Sequence, residues 1–128
     1  MKICWIRCQN YDEAKNFHGV VYLHEQNGRP FYWGICGISV FGGNPRKVDG
    51  MPRNPRYGTS YRHWIEGCLR HAGALYIGTP AEQGNFSLQD IELTLIAMYP
   101  SEMNVEEDAQ QVIPHIEHQG DVPSSIRG

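Results

Sequence analysis

Two tyrosines, one glutamate and a group of arginines are the residues of this chain whose types and spacing could do chemistry together. Tyr22 in "VVY" and Tyr32 in "YWG" flank an Asn27-Gly28 pair, one of the stronger local signals for a β-hairpin, so phenols from adjacent strands can converge on one spot. Tyr32 is followed by Trp33 and Gly34, and a glycine there would let backbone approach a ligand closely. Glu92 lies in "SLQDIELTLIAMYPSEMN", where Leu88, Gln89, Leu95 and Ile96 are its neighbours three and four residues away. On a helix that spacing sets a carboxylate on the side that should face a core. Each feature has a plainer reading: a cross-strand packing contact for the tyrosines, and for Glu92 an apolar stem packed on the core with its head in solvent.

Arginine placement adds a third component. Residues 29–73 hold seven basic side chains (Arg29, Arg46, Lys47, Arg53, Arg56, Arg62, Arg70) against two acids, Asp49 and Glu66, a local charge of +5 in a chain whose formal net charge is −3. A mostly arginine excess suits planar recognition of phosphate, although arginines kept for solubility would look the same.

These residues need elements to position them. "MKICWIRC" reads as a first strand, and "HGVVYLHE" and "FYWGIC" as the arms of the hairpin. Residues 37–58, "GISVFGGNPRKVDGMPRNPRYG", hold five glycines and three prolines and form a long loop carrying four of the seven basic residues. Loops of that length in a small domain are usually functional or mobile. "TSYRHWIEGCLRHAG", residues 59–73, has a cap, a helical apolar spacing and a basic, glycine-terminated end. "ALYIG" is a short third strand, and a helix follows from Leu88, capped by Ser87 and stopped at Pro100. The tail from Val105 is acidic and poor in aromatics, which predicts a weakly ordered extension.

At 128 residues and 41% apolar composition the chain fits one domain with its own core. No apolar run approaches a membrane span, and the N-terminus lacks the order of a signal peptide, so a cytoplasmic location is expected. Cys4, Cys8, Cys36 and Cys68 show no zinc-ligand spacing; Cys4 and Cys8 read as reduced, small hydrophobes on one face of the first strand.

Taken together, "GVVYLHEQNGRPFYWG" resembles the opening signature of the GIY-YIG endonucleases, and "IELTLIAMYPSEMN" resembles that family's later helix, with Glu92, Leu95-Ile96, Pro100 and Asn104 in order. The resemblance covers about residues 19–104. The literal "YIG" at Tyr76 to Gly78 belongs to the third strand and not to this signature. The family cleaves phosphodiester bonds with one divalent cation held by the helix glutamate, a first-strand tyrosine that helps activate water, and an arginine at the phosphorane. The resemblance thus implies Tyr22, Tyr32 and an arginine as catalytic residues and Glu92 as the ligand of one Mg²⁺ or Mn²⁺. A hard cation that keeps most of its waters is compatible with one protein carboxylate. Two departures stand out: Ile35 replaces a common lysine, and Gly42 stands where a helical arginine is usual. The arginine must then come from elsewhere, with Arg56 beside the helix favoured over Arg53 and Arg46. Gly34, Arg46, Arg53, His63 and Asn104 are substrate-binding candidates. His63 reads equally as a packing residue, and Asn104 either ties the helix's C-terminal loop back to the site or is an ordinary turn residue.

The expectation is an α+β domain over 1–104, a small, mainly antiparallel three-stranded sheet with flanking helices of GIY-YIG type, followed by the extension at 105–128. Its expected activity is metal-dependent hydrolysis of DNA, with RNA left open, and specificity that is drawn from the 37–58 loop, drawn from a homodimer, or slight. A non-catalytic nucleic-acid-binding or protein-interaction module on the same fold is the alternative. A small inhibitor or adaptor whose acidic tail mimics nucleic acid is a third reading.

Overall fold

The computed structural model describes residues 1–36, 47–48, 51–52, 65–104 and 109–127. It is an α+β fold. The strands are β1 (Lys2–Cys8), β2 (Val20–Gln26), β3 (Arg29–Cys36), β4 (Lys47–Val48), β5 (Met51–Pro52), β6 (Gly73–Ala81) and β7 (Glu117–Gly120). The helices are α1 (Tyr11–Ala14), α2 (65–70) and α3 (Leu88–Met98), and a 3-10 turn closes the chain at Ser124–Ile126. Five strands form one mixed sheet in the order β3-β2-β6-β1-β7, and β4 and β5 pair by themselves.

The hairpin forms as its turn residues dictate. Asn27 (φ 53°) and Gly28 (φ 75°) both take the left-handed conformation that a two-residue hairpin turn needs, matching the twist of the strands. β3 is an edge strand, which lets it tolerate Pro30. Alternation along β2 and β3 then sorts the side chains. Val21, Leu23 and Trp33 join Ile3, Trp5, Tyr76 and the α3 residues Ile91, Leu95 and Ile96 in the larger core. Val20, Tyr22 and Cys36 join Tyr11, Ala14, Ile65, Leu75 and Ile77 in a second core on the other face. β6 is central and buried on both faces from Leu75 to Gly78. A side chain at Gly78 would meet Ile3 and Trp5 at 2.7 and 2.8 Å, so the "YIG" of this strand serves sheet packing.

α3 starts where a reciprocal cap satisfies its first donors. Ser87 Oγ accepts from the Asp90 N–H, and the Asp90 carboxylate accepts from the Ser87 N–H, each at 3.0 Å. The helix ends before Pro100 as expected.

The chain departs from expectation at its sheet and its tail. The sheet has five strands, not three, and β7 lies parallel to β1 while the other neighbours are antiparallel. Residues 109–127 are part of the domain and not a weakly ordered extension: Ile113, Ile116 and Ile126 are buried in the larger core. Buried Thr94 fastens this segment to α3. Its hydroxyl donates to the Asp90 carbonyl at 2.8 Å and accepts the N–H groups of Val112 and Ile113, both at 3.1 Å. Further on, Ser124 Oγ and the Ser125 N–H donate to the two oxygens of Glu25, at 2.9 and 2.8 Å. Among the described residues no helix is long and apolar enough to cross a membrane.

Candidate functional site

Tyr22 and Tyr32 do converge. Both project to the second-core side of the hairpin, with ring centroids 6.2 Å apart and planes at 47°. The hairpin register produces this pairing: Tyr22 lies opposite Gly34, and Tyr32 opposite His24. Gly34 matters because of what occupies its missing side chain's place. A Cβ there would run into the Tyr22 ring, so the space over Gly34 is filled by a phenol of the same hairpin.

His24 joins the two phenols, a contact not anticipated from the sequence. Two positions after Tyr22 on a strand, it projects to the same face, and its ring meets the Tyr22 ring edge-on at 5.7 Å. It is 2% exposed, and burial lowers its pKa to about 3, because a charged imidazolium there would lose its hydration. The imidazole is therefore neutral at physiological pH. The signal that could have found it is the period of two in "YLH". Tyr22, His24 and Tyr32 form one aromatic group in which Tyr22 is 7% exposed.

Glu92 sits on α3, half-buried, one residue after Ile91 and three before Leu95. At about 100° per residue this places it at the margin of the buried stripe. That stripe packs on the Val21, Leu23 and Trp33 side of the sheet, opposite the phenols. The sheet therefore lies between the tyrosine rings and the core-facing side of α3. A ligand shared by Glu92 and the phenols would have to bridge the outer edge of β3, which among the described strands ends the sheet and borders α3.

Asn104 connects the two groups covalently distant in the chain. Its side-chain carbonyl accepts the Trp33 N–H at 2.8 Å and its amide donates to the Trp33 carbonyl at 3.0 Å, satisfying both edge groups of that residue as a neighbouring strand would. Ser101 Oγ bonds the same amide oxygen, and the Met103 N–H donates to the Phe31 carbonyl at 3.0 Å. Trp33 returns a bond from its indole N–H to the Tyr99 carbonyl at 2.9 Å. The C-terminal end of the Glu92 helix is thus fixed to the strand that carries Tyr32.

Arg46, Arg53, Arg56 and His63 lie outside the described residues. Among those described, no group of three His, Cys, Asp or Glu side chains could hold a metal ion. A single half-buried carboxylate is a donor set suited to a hard cation that keeps its waters and not to a fully protein-coordinated one. Cys8 is no candidate nucleophile, since burial and then the charge of Glu13 raise its pKa to about 11. No protein family, curated protein or solved structure matches the chain.

Proposed function

We propose that this chain is a GIY-YIG-type endonuclease that hydrolyses DNA with one divalent cation. The observation that carries the reading is the convergence of Tyr22 and Tyr32 on a hairpin whose edge is clamped by Asn104 to the end of the Glu92 helix. Tyr22 and Tyr32 orient the attacking water and help to activate it, with neutral His24 packed edge-on against the Tyr22 ring. Arg56 supplies the guanidinium for the charge that develops at phosphorus, with Arg53 and Arg46 as the other candidates. Glu92 would hold Mg²⁺ or Mn²⁺, which when bound provides a Lewis acid and a water of lowered pKa.

A second reading, a nucleic-acid-binding or protein-interaction module without catalysis, is favoured by the placement of the phenols and the buried stripe of α3 on opposite faces of the sheet. Nicking of supercoiled plasmid in Mg²⁺ or Mn²⁺ separates the two. The nuclease reading expects wild-type cleavage that falls by about 10²-fold or more in Glu92→Ala and in Tyr22→Phe. Plasmid binding without nicking supports the module, and equal nicking by wild type and Glu92→Ala points to a contaminant.

A further inference from the structure

On the α3 side of the sheet, away from the tyrosine pair, the ends of β1, β2 and β6 and the last residues of the chain enclose an open cleft of about 400 Å³. That is large enough for a small ligand. Arg7, Glu25, Tyr76, Ser124 and Arg127 line it. We propose that this cleft binds an oxyanion, a phosphoryl or carboxylate group on a small molecule, between the guanidinium groups of Arg7 and Arg127.

The charges in the cleft favour an anion because two arginines face one acid whose oxygens are turned onto the last turn of the chain. Glu25 is 3% exposed, and its two oxygens accept from Ser124 Oγ and the Ser125 N–H. Neither arginine has an ion-pair partner within 4.0 Å among the described residues, where the salt bridges formed involve Lys2 and Lys15. The cleft lining therefore carries two cations against one carboxylate, a net charge of +1, with the Asp121 carboxylate bonded at 3.1 Å to the Arg7 backbone N–H just outside it.

Both arginines are exposed, and each guanidinium has a contact that orients it. Arg7 Cζ lies 5.9 Å from the centre of the Tyr76 ring, across the β1–β6 pairing that sets the two residues opposite each other. Arg127 turns its Nε and Nη2 onto the Val122 carbonyl at 3.2 and 2.9 Å, leaving Nη1 to donate. The second Nη2 hydrogen and Nη1 still present an end-on pair of donors, and an orienting contact lowers the freedom lost when they bind an oxyanion. The site stands apart from the nuclease reading, since none of its residues belongs to that group.

The test is a titration of the full-length ¹⁵N-labelled protein with inorganic phosphate, and separately with acetate, at constant ionic strength. Saturable shifts are expected at the amides of Ala74, Ser124 and Arg127, with a phosphate affinity weakened about tenfold or more in Arg7→Gln. That variant removes no backbone contact and should fold. Arg127→Lys, which keeps a cation but loses the fork, should weaken binding as well. Tighter phosphate than acetate binding assigns a phosphoryl ligand, and the reverse order a carboxylate. The proposal is overturned if neither anion gives saturable shifts at these amides, if sodium chloride produces the same shifts, or if Arg7→Gln binds as tightly as wild type. Glu92→Ala should bind phosphate here unchanged, whatever its nicking activity.

Discussion

Gly34 and Tyr22 share one volume, and that sharing holds the candidate catalytic phenol in place. Any side chain at position 34 must push the Tyr22 ring from its position across the hairpin. Gly34→Ala is therefore expected to cost about 1–3 kcal/mol in urea denaturation, the range for overpacking a filled site. Unchanged stability would mean the ring moves freely. His24 offers a second residue-level test. Its pKa falls from 6.5 to about 3 in the folded protein through burial, and burial followed by the charge of His115 lowers that of His118 in the same direction. The unfolded chain therefore takes up these protons first as the pH drops. The stability contributed by each neutral histidine is complete above about pH 6.5 and is lost progressively below it, for His24 down to about pH 3 and at up to about 1.4 kcal/mol per pH unit. His24→Gln should lose less stability between pH 7 and pH 5 than wild type does, and an identical loss in the two proteins would contradict this assignment. At this scale the sequence was half legible. The tyrosine pair followed from Asn27-Gly28 and the spacing, whereas the His24 contact needed the strand parity to be followed two residues further.

Two polar side chains fix the elements to one another. Asn104 pairs with both backbone groups of Trp33 on the edge strand, and Thr94 with the N–H groups of Val112 and Ile113 in the tail. Removing either leaves buried or half-buried groups unpaired, so Asn104→Ala and Thr94→Val should each cost about 1–3 kcal/mol. Hydrogen exchange locates the effect: faster exchange at Trp33 is expected in the first and at Val112 and Ile113 in the second, and global destabilisation without these local changes would contradict the roles given. The hairpin and α3 were readable because each carries its own start and stop, Asn27-Gly28 in one and Ser87 with Pro100 in the other. β7 was not. "EHQG" has no apolar residue and no alternation, and it becomes a strand because β1 offers it a free edge. The side of the sheet that receives α3 was equally hidden, since Val20 to Leu23 are apolar at every position and both faces of β2 are buried.

For the whole molecule, the tail is part of the core and not an appendage. Ile113, Ile116 and Ile126 stand among acidic and polar residues without a helical or strand period, so their burial shows only in the assembled fold. Deleting residues 105–128 should remove cooperative thermal unfolding, and a truncated chain melting like wild type would show that the first 104 residues suffice. The nuclease reading makes one demand on the complete architecture: Glu92 on α3 and the phenols beyond the β3 edge must attend the same cation. Mn²⁺ broadens the nuclear resonances of groups close to it, so a substoichiometric Mn²⁺ titration with labelled tyrosine rings tests that demand directly. The account predicts that signals around Glu92 and the ring signals of Tyr22 and Tyr32 broaden together, and that both effects vanish in Glu92→Gln. Broadening confined to α3, with both rings unaffected, would contradict it.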